Sequence, residues 1–573
     1  MGNERILVRI SMPENVIECI IQYYGNLTEL KERIGFEAEK LLAGYAIVRI
    51  ARSNFASLFS AEEIIWVELP RNLFYETEAA RIASCIPAVQ RENGLNLTGK
   101  GVLVAVLDSG IDYAHPDFCT NEGKTRIVAL WDQTIVPREG EAPPKGYFDG
   151  VLFSGEQINA ALLEPRFENR QQLVRSVDNS GHGTHVAGIA CGNGRAGGIQ
   201  YRGVAYESDI LVVKIGGTQR DAFPQTTNLM AGIDFAVRFA MARNQPLVIN
   251  ISFGNNDGSH DGRSLFETYI DTICLRGRIA VVVGTGNEAD KRRHASGALP
   301  ALRFGESGRI EPEEMQEKLL AIAEGESFVR MSLWKHYVDN FAIILVTPSG
   351  ERFEIAQEEG GETVLLSGVR VNVLIGGPTP YRILQEITIE LRAPEGSSFL
   401  RAGIFRIQLV PQVIREGTYH IWLSLGGVNS GTGFLQADAY GTFTIPSTAY
   451  RVISVAAYDA HTDSITSFSG RGFLDGNEPQ KPDVAAPGVN IVSCARGGGY
   501  TAKTGTSMAT PFVSGSAALL MEWGILRQND RFLYGERLKA YIRSGAKELF
   551  GVTGYPNPLV GWGTLCVGNS LPE

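Results

Sequence analysis

The sequence predicts a doubly wound α/β domain with an inserted all-β domain and a small α+β domain before it. Three patterns predict this fold class. Residues 1–76 mix strand and helix periodicity, apolar strand runs alternate with helices from Leu103 onward, and residues 305–440 carry alternating strands. The 573 residues suffice for about three or four domains of roughly 150 residues. We expect domains at residues 1–76, at 77–304 together with 441–573, and at 305–440.

The N-terminal domain is predicted to alternate strands and helices. In chain order we expect a strand at Ile6–Ile10, a helix at Val16–Tyr24, a strand at Tyr45–Ile50, a short helix at Phe55–Ser60 and a strand at Ile64–Glu68. Pro70 and the polar stretch Glu76–Arg81 then interrupt the pattern and predict an exposed linker.

The central domain is predicted to contain a parallel sheet covered on both faces, because its strands are continuous apolar runs. The expected strands are Val102–Leu107, Ile210–Ile215, Leu247–Ile251, Ile279–Val283 and Val452–Ala456, and the expected helices include Leu229–Ala242 and Leu265–Leu275.

The inserted domain is predicted to be an all-β sandwich or jelly roll, since helical periodicity gives way to alternating strands separated by Gly and Pro turns. Examples are Phe341–Val346, Val369–Leu374, Ile387–Leu391, Ile404–Leu409 and His420–Leu425. One stretch in this region, Glu313–Ala323, has helical periodicity and is expected to be a helix.

Composition excludes several classes of partner. The net charge of -10 leaves no basic surplus for nucleic acid, and no apolar run approaches the roughly 18 residues of a membrane span. The N-terminus lacks the apolar stretch of a secretory signal, which favours a location inside the cell. The seven cysteines are odd in number and never form a CxxC pair. We therefore expect reduced thiols and no metal site.

A carboxylate ends the first strand of the central domain. Asp108 follows Val102–Leu107, at the strand edge where open α/β sheets carry their active sites. The alternative is that Asp108 only caps the following turn.

Two histidines stand in the glycine-rich segment Gly181–Gly188. Small residues around His182 would let a helix start pack closely against the sheet while the imidazole faces a cleft. His182 and His185 could instead bind a metal, but no HExxH motif is present. A structural glycine-rich turn is the remaining alternative.

A serine precedes the apolar helix Phe512–Trp523. Ser507 could cap that helix with its hydroxyl. The same position also offers backbone N–H groups and the positive end of the helix dipole, which suit a developing oxyanion.

The three segments occur in the order Asp, His, Ser and resemble the signature blocks of the subtilisin-like serine proteases, the subtilases. Segment Lys481–Gly488 is similar too, and the resemblance spans about residues 97–300 and 442–566. It implies that Ser507 attacks a peptide bond of a protein substrate to form an acyl-enzyme, that His182 takes the serine proton, and that Asp108 holds the ring. No cofactor is implied. Cys191–Tyr201 lacks the Asn-rich loop that holds calcium in secreted subtilases, so no metal is expected.

The loop after Ile279–Val283 also resembles this family. It reads Gly284, Thr285, Gly286 and Asn287, and the resemblance implies that Asn287 donates its amide to the tetrahedral oxyanion. The three residues before it are expected to line the substrate site. The alternative for Asn287 is an ordinary turn residue.

A second segment, Ser252, Phe253 and Gly254, resembles the strand along which substrates bind. There the backbone of an extended peptide would pair as an added strand. Phe253 could equally be a core aromatic residue. The side-chain preference at the cleaved bond is not readable from the sequence.

The N-terminal domain acquires a role from the resemblance, because subtilases often carry an α+β prodomain whose C-terminus lies in the active site until it is cut. We expect self-cleavage near Tyr75 or Glu76, with the cleaved prodomain as a partner of the enzyme. A permanent docking domain is the alternative.

The inserted domain indicates which kind of subtilase this sequence resembles. Segments Ser332–Phe341, Pro348–Glu351, Pro378–Tyr381 and Gln385–Ile387 resemble the jelly roll of the clostridial germination proteases, the Csp type. This implies limited proteolysis, with the proform of a spore cortex hydrolase as substrate and a cytoplasmic or spore-associated location. A general turnover protease and a pseudoprotease scaffold remain alternatives, and the three filled triad positions favour an active enzyme.

Overall fold

The fold is seen in a computed structural model that describes residues 16–70, 74–75, 83–91, 94–218, 223–300, 315–356, 358–377, 380, 382–425, 428–474 and 480–572. The described residues divide into two compact units. One comprises residues 255–264 and 288–445, and the other comprises the described chain up to 254 with 265–287 and 446–573.

The N-terminal domain is an antiparallel sheet in the order β2-β3-β1-β4 with helical segments packed on it. Its elements are β1 (Val16–Tyr23), α1 (Leu27–Ile34), β2 (Phe36–Lys40), β3 (Tyr45–Ala51), a 3₁₀-helix (Arg52–Ser60) and β4 (Ile64–Glu68). The helix predicted at Val16–Tyr24 is wrong, because that segment is β1. Its β-branched residues pack well on a pleated surface, and it pairs with both β3 and β4. The predicted strand Ile6–Ile10 and linker Glu76–Arg81 lie outside the described residues.

The first part of the central domain alternates strands and helices. Its elements are β5 (Phe74–Tyr75), α2 (Ile86–Gln90), β6 (Leu103–Asp108), β7 (Ile127–Asp132), β8 (Val151–Ser154), α3 (Gly155–Leu162), α4 (Phe167–Leu173), α5 (His182–Cys191), β9 (Asp209–Lys214), α6 (Thr226–Arg243), β10 (Leu247–Ile251), β11 (Phe253–Gly254), α7 (Leu265–Cys274) and β12 (Ile279–Gly284).

The inserted unit is a sandwich of two antiparallel sheets that share one apolar core. Its strands are β13 (His294–Ala298), β14 (Gln316–Ile322), β15 (Phe328–His336), β16 (Asn340–Val346), β17 (Arg352–Ile355), β18 (Gly360–Leu366), β19 (Val369–Ile375), β20 (Leu384–Arg392), β21 (Gly403–Val413), β22 (Thr418–Leu423) and β23 (Gly433–Phe434).

Two details of the insertion differ from the sequence prediction. The helix expected at Glu313–Ala323 is wrong, since its described part is β14; pairing with β21 and β23 overrides the helix propensity of this Glu- and Leu-rich stretch. The unit also begins at Glu288 and ends at Ile445, outside the predicted bounds of 305–440. The reason is that β13 pairs with β22 and so belongs to the sandwich.

The chain then completes the central domain. The remaining elements are β24 (Ile453–Asp459), β25 (Ser464–Ile465), β26 (Val484–Pro487), β27 (Ile491–Cys494), β28 (Tyr500–Lys503), α8 (Thr506–Met521) and α9 (Gly535–Ser544).

The main sheet of the central domain has the strand order β25-β24-β12-β10-β6-β9-β7-β8, with β26 beside β24. Strands β24, β12, β10, β6, β9 and β7 are mutually parallel and form the center of this sheet. The five predicted strands are all present and almost wholly buried, which confirms the doubly wound α/β class. Because β12, β10 and β6 are neighbours, their C-terminal ends lie side by side at one edge, where such sheets carry their sites.

The cysteine prediction is wrong for one pair. Cys85 and Cys566 form a disulfide, although 481 residues separate them. The backbone of Val567 donates to the carbonyl of Ser84 and brings the two segments together. The other five cysteines are free and buried. None of the described helices is both long and apolar enough to cross a membrane.

Candidate active site

A buried hydrogen bond joins the carboxylate at the end of β6 to the imidazole at the start of α5. Nδ1 of His182 lies 2.7 Å from Oδ1 of Asp108, and both side chains are almost completely inaccessible to solvent. A carboxylate only accepts, so Nδ1 carries the proton and donates it. When this ring is neutral, Nε2 is its proton acceptor.

Glycine at position 183 permits this approach. A Cβ on Gly183 would lie 2.2 Å from the carbonyl oxygen of Gly110 and 3.1 Å from Cβ of Asp108. Any larger residue would push α5 away from the end of β6. Gly188, one helical turn and a half further on, is similarly confined, since its Cβ would lie 2.3 Å from Oγ of Ser493.

Asp178 holds the start of α5 in place, and the sequence analysis missed it. Its carboxylate accepts hydrogen bonds from the backbone N–H of Gly181 and Thr184, both at 2.9 Å, and from the hydroxyls of Ser109 (2.7 Å) and Thr184 (2.6 Å). Burial opposes ionisation of Asp178, but these hydrogen bonds outweigh it and lower its pKa. An acidic residue just before a helix is a known start signal, which could have indicated it.

The second histidine of this segment has a structural role. Nε2 of His185 donates to the carbonyl oxygens of Ile491 and Thr501, each at 3.0 Å, and so ties α5 to the hairpin of β27 and β28. Burial lowers the pKa of His185 to about 3, so this ring is neutral. With Nε2 of His185 protonated and Nδ1 of His182 bonded to Asp108, the pair does not offer the metal-binding arrangement considered from the sequence.

A different cluster, His115, Asp117 and Cys494, has its potential ligand atoms within 4.8 Å of one another. These groups bond to the protein instead. The Cys494 thiol and the Tyr500 hydroxyl donate to the Asp117 carboxylate, and Nδ1 of His115 accepts from the Asp117 backbone. Burial, reinforced by Asp117, raises the pKa of Cys494.

Ser507 is the second residue of α8, which packs against α5, β10 and β12. Its carbonyl accepts a 3.1 Å hydrogen bond from Oγ of Ser252. Its own Oγ is buried and has no hydrogen-bond partner among the described residues. The hydroxyl therefore does not cap the helix, and the bond to His182 that the resemblance implies is not formed.

Asn287 reaches from the loop after β12 to the residue before the serine. Its Oδ1 accepts from the backbone N–H of Thr506 at 2.9 Å, and the N–H of Gly286 donates to Oγ1 of Thr506 at 3.2 Å. The contact spans 219 residues, so Asn287 is more than a local turn residue. Because Oδ1 of Asn287 accepts this hydrogen bond, the donor group of the side chain is its NH₂.

The rest of this loop is fixed to neighbouring strands. The N–H of Thr285 donates to the carbonyl of Val455, and the carbonyl of Gly286 accepts from Gly470 at 2.7 Å. Gly286 has φ +92°, a conformation that favours glycine. Gly284 is the last residue of β12. The loop is thus held rigidly next to Thr506 and Ser507.

The predicted substrate strand already has a partner. β11 pairs in antiparallel register with β5, with Phe253 opposite Tyr75 and Gly254 opposite Phe74. The Phe253 side chain is fully buried, so its ring is part of the core, while its role in binding substrate stays a prediction. Residue 76 lies outside the described residues. The chain's own segment therefore occupies the place expected for a bound peptide.

The N-terminal domain is docked on α6 and α7. Leu42 donates its backbone N–H to Asp234 at 3.0 Å, Glu68 accepts from the N–H of Leu265 at 3.0 Å, and Thr227 donates to Glu18 at 2.7 Å. These three hydrogen bonds hold the described part of the domain on the two helices.

Replacing Asp178 by Asn should loosen the start of α5. We expect a loss of about 1–3 kcal/mol of unfolding free energy at neutral pH, because a charged acceptor of several hydrogen bonds is removed. Since the folded pKa lies below the reference value of 3.8, this loss should be fully present above 3.8 and should vanish as the pH falls through the folded pKa. Urea unfolding across this range measures it. Glu168→Gln on exposed α4 is the control, and equal effects of both variants would contradict the role.

Replacing Glu39 by Gln should alter the pH dependence of stability. Burial raises the pKa of Glu39 to about 8 from 4.5, although the N–H of Phe148 partly offsets the shift. Because the folded state holds this proton more tightly, its stabilising contribution is complete below 4.5 and is lost as the pH rises to about 8. Urea unfolding midpoints of the wild type should fall over this interval more steeply than those of Glu39→Gln. Glu37→Gln, exposed on the same strand, should behave as the wild type; parallel curves for all three would contradict the assignment.

Comparison with known proteins finds two family matches and a similar solved structure. Residues 99–303 and 423–563 match the Subtilase family, Peptidase S8, and residues 5–71 match the Csp protease B prodomain. The solved CspB protease of Clostridium perfringens is 38% identical, with 85% of this chain and 95% of that chain covered and a TM-score of 0.76.

More distant relatives agree on the fold. Fervidolysin from Fervidobacterium pennivorans, a keratinolytic enzyme related to subtilisin, is 14% identical with a TM-score of 0.50, covering 99% of this chain and 62% of that chain. The minor extracellular protease Vpr of Bacillus subtilis is 24% identical over 514 residues, which are 83% of this chain and 52% of Vpr. The chain thus spans about half the length of that relative.

The matched family regions cover more than half of the chain and contain Asp108, His182, Asn287 and Ser507. The matched prodomain region coincides with the domain docked on α6 and α7. The chain therefore belongs to the subtilase family of serine proteases and is of the Csp type.

Proposed function

We propose that this chain is a serine endopeptidase that removes its own prodomain and then cleaves a protein zymogen at few sites. The observation that carries the proposal is the buried bond between Asp108 and His182, which leaves Nε2 of the ring as a base beside the helix that bears Ser507. Membership of the subtilase family supports the same chemistry.

In the proposed reaction, Oγ of Ser507 attacks the carbonyl carbon of the scissile peptide while Nε2 of His182 takes the hydroxyl proton. Asp108 stabilises the imidazolium that results. The oxyanion of the tetrahedral intermediate accepts from the backbone N–H of Ser507, one of the first-turn groups without an intrahelical acceptor, and from the amide of Asn287. His182 then protonates the leaving nitrogen, the C–N bond breaks, and water hydrolyses the acyl-enzyme by the same steps.

The prodomain is the first substrate in this proposal. The pairing of β5 with β11 supports cleavage directly after Tyr75 or after Glu76, since the segment lies in the register of an extended substrate. The match of residues 5–71 to a Csp protease B prodomain supports removal of this domain as a unit.

For the second substrate we propose the proform of a spore cortex hydrolase, cut in a cytoplasmic or spore-associated setting. The likeness to the CspB protease supports this choice. A general turnover protease is the competing enzyme function. Digestion of unfolded casein distinguishes them: a few defined fragments agree with zymogen cleavage, whereas many small peptides contradict it.

Replacing Ser507 by Ala should abolish self-cleavage while leaving the fold intact. Removal of the nucleophile is expected to lower kcat by about 10⁶-fold. Intact-mass spectrometry of the purified protein should find a truncated chain in the wild type and a full-length chain in the variant.

The matched control for this variant is Thr510→Ser on the same helix. Oγ1 of Thr510 donates to the carbonyl of Thr506 at 2.8 Å, and serine keeps a hydroxyl that can make this bond, so the control should still process. An identical truncated chain in Ser507→Ala and wild type would contradict self-processing. Unchanged peptidase activity in Ser507→Ala would eliminate the assignment of the nucleophile.

A further inference from the structure

A cavity of about 440 Å³ lies beside the residues that hold His182. Four segments of the central domain line it. They are the loop after β6 (Ile111–Pro116), residues on α4 (Phe167, Arg170, Gln171), the segment before α5 (Ser176–Asp178) and the turn between β27 and β28 (Arg496–Gly498). The proteolytic mechanism derived above uses none of this space.

The walls of this cavity are continuous with the catalytic pair. Asp178, on one wall, binds Ser109 and the start of α5. Arg496, on another, packs next to the residue before His182, because a Cβ on Gly181 would lie 3.4 Å from Cβ of Arg496. A group bound in the cavity would therefore lie next to the start of α5.

None of the described residues that line the cavity belongs to β10, β11 or the loop after β12. β10 and β6 are adjacent parallel strands, so their C-terminal ends are neighbours. The N-terminal part of a bound peptide pairs with β11, which directly follows β10. The loop that follows β6, which lines the cavity, therefore starts beside the strand along which the peptide binds.

The cavity offers hydrogen-bond donors for an anion. No carboxylate pairs with Arg170 or Arg496 in the described part of the chain; Arg170 donates to the carbonyl of Pro165 and Arg496 to that of Asn179. Nε of Arg170 is buried and has no partner there. The two acidic residues of the lining already accept from the protein, Asp112 from Ala114 and Gly497, and Asp178 from α5.

We propose that a bound peptide continues from β11 past the reacting groups over the loop that follows β6, and that this cavity binds acidic side chains of the substrate on the C-terminal side of the cleaved bond. Formal charges in the lining cancel, so the preference arises from two guanidinium groups that donate to no described carboxylate. Their remaining N–H groups suit a carboxylate. The chain's own processing region has this composition, since Glu78 lies on the C-terminal side of either proposed cut and Glu76 does so for a cut after Tyr75. The inference rests on the proposed function and adds a substrate class to it.

The test compares two quenched fluorescent peptides. One has the sequence of residues 71–80, and the other has Gln in place of Glu76 and Glu78. We expect the wild type to hydrolyse the Glu peptide with a kcat/KM about tenfold higher than the Gln peptide. In the double variant Arg170→Gln, Arg496→Gln this ratio should fall toward one. Arg166→Gln, exposed at the start of α4 and outside the cavity lining, is the matched control and should keep the ratio.

The same comparison is made on self-cleavage in the full chain, where a docked prodomain cannot exclude the substrate. A double-mutant cycle compares four self-cleavage rates. They are those of the wild type, the variant Glu76→Gln with Glu78→Gln, the double arginine variant, and the variant that carries all four substitutions. A non-additive effect of the glutamate and arginine substitutions on the self-cleavage rate supports the proposal. A wild-type ratio near one, or additive effects in the cycle, would overturn it. Failure of the wild type to cleave either peptide or itself contradicts the proposed protease function instead.

Discussion

The hydrogen bond from Nδ1 of His182 to the buried carboxylate of Asp108 is the interaction on which the site depends. It exists because α5 starts directly against the end of β6, an approach that only glycine at position 183 allows. Asp178 fixes the same helix start through hydrogen bonds to its first N–H groups. The imidazole therefore has one tautomer and one orientation before any substrate arrives, which is how a fixed base contributes to catalysis.

Hydrogen bonds between residues far apart in the sequence bring the other site residues together. Asn287 and Gly286 reach Thr506, and Ser252 reaches the carbonyl of Ser507, so the ends of β12 and β10 both hold the first turn of α8. Strand β11, which directly follows β10, pairs with β5 of the same chain. The described part of the prodomain is anchored on α6 and α7 by the hydrogen bonds of Leu42, Glu68 and Glu18.

The sequence predicted correctly those elements whose local hydrophobic pattern agrees with how they are buried in the folded chain. Continuous apolar strands such as Leu247–Ile251 were recognisable because both faces of the sheet are covered. Val16–Tyr24 and Glu313–Ala323 were misassigned, since pairing with distant strands decided their structure rather than local periodicity. Asp178 and the Cys85–Cys566 pair were missed for a related reason: their roles arise from contacts that spacing does not reveal. The motifs identified the bond of Asp108 with His182, whereas the contact of Ser507 with His182 stays a prediction.

The most direct measurement is the reaction of the full chain with a fluorophosphonate probe, followed by peptide mapping. The account predicts a single adduct on Ser507 in the wild type and its loss in His182→Ala, because only the oriented imidazole makes this hydroxyl nucleophilic. Absence of the adduct on Ser507, or equal labelling once His182 is replaced, would contradict it.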